Sequence, residues 1–195
     1  MRTAAIERNT NETQIQLELN LDGTGKYDIQ TDVGFLNHML ELFARHGRFD
    51  LAIRAKGDVQ TDDHHLTEDV GIVLGQAFAQ ALGEMRGIVR YGSFLLPMDE
   101  ALVLAAVDIS GRPCLGYTLQ LPGAKVGSFD TELVEEFFLG FTRNLKATLH
   151  LQQLAGKNTH HIIEAAFKGF GRAMAQAVAI DAAYKDQVPS TKGML

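Results

Sequence analysis

The sequence predicts an α+β chain of two internally repeated strand–helix halves, with four-stranded sheets and the helices packed on one side. Three observations carry this. Residues 14–21 alternate apolar and polar, which is the period of a half-buried strand. Residues 35–46 carry apolar side chains at 35, 36, 39, 40, 42 and 43, which is the period of a helix. A His-His-x-x-Glu block at residues 64–68 then recurs 96 positions later at 160–164. Over residues 64–81 and 160–177, eight of 18 aligned pairs are identical, among them His64/His160, His65/His161, Glu68/Glu164 and Gly75/Gly171. Strands followed by helices, twice over, give layers that bury one sheet face against helices.

The elements follow in order. The strand at 14–21 ends in the turn Asp22-Gly23-Thr24-Gly25. The helix at 35–46 stops at Gly47, a residue suited to a helix end. Phe49, Leu51 and Ile53 alternate with polar residues as a second strand, and 57–63 is a polar loop. From Thr67 to about Met85 an Ala/Gly/Leu/Val segment reads as a buried helix whose glycines 71, 75 and 83 permit close packing. In the second half 101–109 and 115–121 are strands around the Ser110-Gly111-Arg112-Pro113 turn. A helix over 131–145 precedes an alternating strand at 146–151, and a helix from His160 runs to about Ala183. The chain divides into a first half at 1–93, a second at 94–185 and a polar tail at 186–195.

Composition narrows the function. The 195 residues are 46% apolar and 22% charged, as in an ordinary globular protein. A net charge of −6 disfavours nucleic acid and anionic membranes as partners. No apolar run approaches the roughly 20 residues that span a bilayer, and no secretory leader opens the chain. The single cysteine, Cys114, allows neither an internal disulfide nor a Cys-x-x-Cys metal site, and a reducing, cytoplasmic setting is expected.

The chemistry sits in the histidines. Residues four apart share one face of a helix, so His64 with Glu68, and His160 with Glu164, can grip one ion each. His65 and His161 point elsewhere and serve a different ion. Two such units suit a two-metal site with crosswise ligands. His38 lies in the first helix and His150 on the polar side of the strand before the second block. Six histidines (38, 64, 65, 150, 160, 161) and Glu68 and Glu164 then give three His and one Glu per ion. An octahedral metal would keep two positions open. Imidazole with carboxylate suits Mn, Fe, Co, Ni or Zn without choosing among them. A closed four-ligand shell argues against catalytic zinc. Asp62, Asp63 and Asp69 are expected to cap the helix and complement its dipole; orienting a histidine is the alternative. Arg90, Arg112, Lys168 and Lys192 stand in Gly-containing settings, and Arg and Lys beside a Ser hydroxyl make a phosphate clamp. Dinucleotide loops, P-loops, HExxH and GxSxG are absent.

Several stretches resemble the imidazoleglycerol-phosphate dehydratases of histidine biosynthesis. They are Leu-Asp-Gly-Thr-Gly (21–25), Phe-Leu-Asn-His-Met-Leu (35–40), Asp-Asp-His-His-Leu-Thr-Glu-Asp (62–69), Pro-Met-Asp-Glu-Ala (97–101), Asp-Ile-Ser-Gly-Arg-Pro (108–113), His-His-Ile-Ile-Glu-Ala-Ala-Phe-Lys (160–168) and Pro-Ser-Thr-Lys-Gly (189–193). They span nearly the whole chain in the family's order and resemble the monofunctional form. The resemblance implies a homo-24-mer built from trimers, with two Mn ions per active site held between subunits. It implies metal ligands at His38, His64, His65, Glu68, His150, His160, His161 and Glu164. Substrate contacts are implied at Glu12, His46, Arg90, Arg112, Lys168, Ser190, Thr191 and Lys192, with the metal-bound histidines and glutamates also around the substrate. Asn37 departs from the Asp expected before this His in many relatives, which would alter a carboxylate behind His38.

The implied reaction removes water from imidazole-glycerol phosphate to give imidazole-acetol phosphate. Its difficulty is proton loss from a carbon not adjacent to a carbonyl. An imidazole held by both nitrogens between two metals would lose its N–H proton and expel the carbon 3 hydroxyl through a diazafulvene-like species. Carbon 2 then loses its proton and the enol tautomerises. Glu12 is the expected proton carrier, with Glu68 and Glu164 the other catalytic carboxylates. The tail could close as a lid. Two rival readings use the same ligands: a dinuclear metallohydrolase that activates a bridging water, and a non-catalytic metal-binding assembly protein.

Overall fold

The computed structural model describes residues 2–195. The first half opens with β1 (Thr3–Asn9) and β2 (Thr13–Asn20), then β3 (Tyr27–Gln30), α1 (Gly34–Gly47), β4 (Asp50–Gly57) and α2 (His64–Leu82). The second half repeats that order with β5 (Tyr91–Met98), β6 (Ala101–Asp108), β7 (Cys114–Thr118), α3 (Leu133–Leu145), β10 (Thr148–Ala155) and α4 (Thr159–Val178). A small hairpin, β8 (Lys125–Val126) with β9 (Phe129–Asp130), lies between β7 and α3. The two main sheets have matching strand orders, β1-β2-β4-β3 and β5-β6-β10-β7. In each, the last-placed strand is parallel to its neighbour and the others are antiparallel.

The alternating sequence of β2 puts Ile15, Leu17 and Leu19 inward while Gln14, Gln16 and Glu18 face solvent. Helix α2 packs on β1 and β2, α4 packs on β5 and β6, α1 packs on α4, and α2 on α3. The four helices therefore lie between the two sheets, and each sheet has helices on one side only. Phenylalanines weld this layer. Phe43 of α1 stacks on Phe170 of α4 with ring centroids 4.8 Å apart, and Phe78 of α2 meets Phe141 of α3 edge-on at 5.6 Å.

The pseudo-symmetry extends to backbone contacts. A Cβ on Gly75 would stand 2.5 Å from the carbonyl oxygen of Phe141, and one on Gly171 would stand 2.6 Å from that of Phe43. Both glycines are needed because a helix backbone passes directly over them. Aligning Phe43 with Phe141 and Arg45 with Arg143 brings the two left-handed helix ends, Arg48 and Lys146, into register.

Three strands escape the periodicity. In β1 only Ala4 is buried, β3 has four residues, and β5 contains Gly92 and Pro97. Pro97 is tolerated because β5 is an edge strand. Gly92 lies against the backbone of α4 at Ala173, where any side chain would collide. The first strand of the second sheet thus begins at Tyr91. Helix α4 ends at Val178 rather than near Ala183, because Ile180 pairs with Ile88 and the Asp181 amide donates to the Gly87 carbonyl. Among the described residues no helix is long and apolar enough to cross a membrane.

Candidate functional site

Both His-His blocks begin a helix. The Asp62 carboxylate accepts from the His64 amide at 2.9 Å, and Asn158 accepts from the His161 amide at 3.3 Å. Helix α2 thus starts at His64, not at Thr67. Of the acidic residues expected to cap it, Asp62 does so. Asp63 makes no capping hydrogen bond. Asp69 is buried and neither caps nor touches a histidine: it pairs with Arg8 at 2.9 Å and with the Thr13 hydroxyl, tying the β1–β2 hairpin to α2.

Along α4, His160, Glu164, Lys168 and Arg172 recur every four residues and so share one face, the face that α1 covers. His38 of α1 completes a cluster there. One nitrogen each from His38 and His160 and one oxygen from Glu164 lie within 4.8 Å of one another. His160 Nε2 is 3.2 Å and His38 Nε2 3.7 Å from the same Glu164 oxygen, while the other oxygen pairs with Lys168. Burial opposes ionisation of Glu164, yet Lys168 and His160 outweigh it and hold its pKa below the ordinary carboxylate value. Burial, with the positive charges of Lys168 and Arg172, pushes the pKa of His46, further along α1, below its ordinary value.

The first-half block has fewer neighbours. His64 Nε2 faces Glu68 at 3.7 Å. Aligning α1 with α3 sets Glu136 of α3 where α1 has His38. The second histidine of each pair is held by its own carboxylate. His65 Nδ1 lies 3.0 Å from Asp58, and His161 Nδ1 lies 2.7 Å from Glu100. These bonds raise both histidines' pKa, and His161 with the Asn158 amide brings Glu100 down to about 2. Glu12, at the tip of the β1–β2 hairpin, comes within 3.9 Å of His65.

Other expected residues stand apart. His150 is on the outward face of β10, its ring over Gly116 of β7, away from the helices. Asn37 does not back His38: its amide accepts from the Thr31 N–H at 2.9 Å and donates to the Thr31 carbonyl at 3.2 Å. A carboxylate could not do both. Arg90, Arg112, Ser190, Thr191 and Lys192 line one cavity of about 800 Å³ under the tail, which no histidine lines. Arg90 there is already paired with Asp108 at 2.7 Å and bound to the Pro189 carbonyl. The Arg90 amide donates to Ala177 at the far end of α4, so at 1.5 Å per residue this cavity begins roughly 25 Å from His160.

Asp58 and Glu100 were not legible as partners of the histidines from spacing. Asp58 and Glu100 come from loops whose approach to the histidines depends on sheet order. Glu136 was legible only by aligning α1 with α3, a repeat too diverged outside its Phe and Arg positions to register beside the His blocks.

The comparisons with known proteins agree with this architecture. Residues 31–174 match the family model for imidazoleglycerol-phosphate dehydratase. The chain is similar to the imidazoleglycerol-phosphate dehydratase of Azorhizobium caulinodans, 57% identical over all of this chain and 99% of that protein. It is 58% identical to that of Desulforamulus reducens, over 100% of this chain and 98% of the other. Among solved structures, the enzyme from Staphylococcus aureus superposes with a TM-score of 0.84 at 45% identity, covering 92% of this chain and 99% of that one. The Pyrococcus furiosus structure gives 0.82 at 41%, covering 97% and 100%. The chain belongs to the imidazoleglycerol-phosphate dehydratase family.

Proposed function

We propose that this protein is a metal-dependent hydro-lyase that converts imidazole-glycerol phosphate to imidazole-acetol phosphate and water. The observation that carries the reading is the His38–His160–Glu164 cluster, which gathers two imidazoles and a carboxylate within reach of one cation in a chain of this family. That donor set fits Mn, as it fits other divalent metals of intermediate hardness. His64 and Glu68 supply the start of a second position, and His65, His161 and His150 the remaining imidazoles, with Glu136 placed to add a carboxylate where His38 has no counterpart. When bound, two Mn ions would supply Lewis acidity to the substrate's imidazole ring and a template for it.

The chain's own groups do the rest. Glu12 carries the proton of the reacting carbon, standing free beside His65; Glu68 and Glu164 are held by imidazoles and serve less well as carriers. Arg90, Arg112 and the tail residues Ser190, Thr191 and Lys192 hold the phosphate and so fix the distance from phosphate to ring, while Lys168, paired with Glu164, meets the substrate from the histidine side. A phosphate at Arg90 must compete with Asp108. The basic cavity and the histidines are too far apart on one chain for a substrate of this size. That separation supports an active site completed by a neighbouring subunit, as in a homo-24-mer built from trimers. The setting we propose is the cytoplasm.

The test is incubation of the Mn-loaded protein with imidazole-glycerol phosphate. Dehydration yields the ketone, detected as its enolate absorbance, with no inorganic phosphate. Phosphate release would instead mark a metallohydrolase. Bound metal with no turnover would mark a non-catalytic assembly protein.

A further inference from the structure

Two hairpin tips occupy equivalent places in the two sheets. Glu12 immediately precedes β2 at the β1–β2 turn, and Glu100 immediately precedes β6 at the β5–β6 turn. Each glutamate reaches toward the second histidine of its half's pair. They arrive differently. Glu100 is fully engaged: Oε1 accepts from the Asn158 amide at 2.8 Å and the Lys157 amide at 3.2 Å, and Oε2 meets His161 Nδ1 at 2.7 Å. Glu12 makes no side-chain hydrogen bond among the described residues. Asp58 fills the corresponding place, with oxygens at 3.0 and 3.2 Å from His65 Nδ1. The Asp58 amide also donates to the Glu12 carbonyl at 3.1 Å, so one residue both takes over the histidine and holds the hairpin tip beside it.

A carboxylate can only accept, so the ring nitrogen facing it carries the proton. In their neutral forms His65 and His161 are then Nδ1–H tautomers with Nε2 unprotonated, and an Asp99 oxygen stands 3.8 Å from the His161 Nε2. His64 and His160 instead turn Nε2 toward Glu68 and Glu164, which are themselves proposed ligands, so a cation seated between ring and carboxylate would take the place of that proton. We infer that Glu100 is a positioning residue that presents His161 Nε2 to the metal, and that Asp58 performs this duty for His65 so that Glu12, the topological twin of Glu100, is released for proton transfer. This rests on the dehydratase reading above.

The inference divides the effects of isosteric variants. In Glu100→Gln the Oε1 acceptor for the loop amides survives. The new N–H group faces His161 Nδ1 and favours the opposite tautomer, whose Nε2–H cannot bind metal. Titrating Mn into the assembled, metal-stripped protein should show affinity lowered about 10- to 100-fold, with an altered paramagnetic resonance signal of the bound Mn. Asp58→Asn should do the same and reads the contact independently if the first variant fails to assemble. Glu12→Gln should bind Mn within about twofold of wild type yet lose about 10²- to 10⁴-fold in kcat. Wild-type Mn affinity in both Glu100→Gln and Asp58→Asn, or weakened Mn binding in Glu12→Gln, overturns the inference. A wild-type protein that neither binds Mn nor dehydrates the substrate instead overturns the reading beneath it.

Discussion

The α1–α4 pair and the α2–α3 pair start from the same His-His-x-x-Glu block and end in different surroundings. On α4, Glu164 is buried, faces two imidazoles and pairs with Lys168. On α2, Glu68 is more exposed and, among the described residues, pairs only with His64, and the residue aligned with Lys168 is Ile72. The frame was duplicated faithfully, down to the glycine–carbonyl contacts of Gly75 and Gly171. The chemistry placed on it was not. On the function proposed above, the repeated ligand block would hold two similar metal positions with separate duties, the α4 one beside Lys168 and the α2 one without a lysine.

The largest expected effect comes from removing one imidazole from either block. His160→Ala and His64→Ala should each reduce turnover by more than about 10³-fold, because the Lewis acid beside the ring is lost. Each should also lower bound Mn; a variant that keeps both metal and activity would break the equivalence of the halves. Next in size are the glycine contacts. Gly75→Ala and Gly171→Ala should each cost about 1–3 kcal/mol in thermal or denaturant unfolding, because the added methyl meets helix backbone that cannot rotate away. If one costs nothing, the two interfaces are not equivalent.

Lys192→Ala should raise KM about tenfold with kcat little changed, the loss of one charged contact to bound phosphate in ground and transition states alike. An unchanged KM would remove the tail from the phosphate site. The smallest effect concerns His46, whose counterpart on α3 is Asn144. Its pKa in the folded chain is lowered, so the unfolded chain takes up its proton first as pH falls. Stability of the metal-free protein should therefore decline below about pH 6.5 and continue falling until the folded state also protonates. His46→Asn should flatten that decline in melting curves taken across the acid range; an identical slope would show that His46 is not responsible.

Much of this was readable in advance. The strong alternation of β2 and β4, the helical stripe of α1 and the His blocks reflect side chains with one buried face, which periodicity detects. Edge strands β1 and β5 bury little on one face, and β3 is too short to show a period. The shared site of His38 and His160 required knowing that α1 lies on α4, a pairing set by Phe43, Phe170 and Gly171 and not by local sequence. His150 has the right chemistry and strand phase, but that phase turns it outward, so spacing alone could not bring it to the helices. Asp69 illustrates the reverse. It adjoins the first block in sequence, yet the hairpin residues Arg8 and Thr13 claim its carboxylate.

The account stands on two metal positions built from one duplicated block. The most direct measurement is the number of Mn ions bound per chain in the assembled wild-type protein at saturating metal. Two per chain is the expected value, falling in His64→Ala and in His160→Ala. A single ion per chain, lost with His160 but untouched by His64, would contradict it.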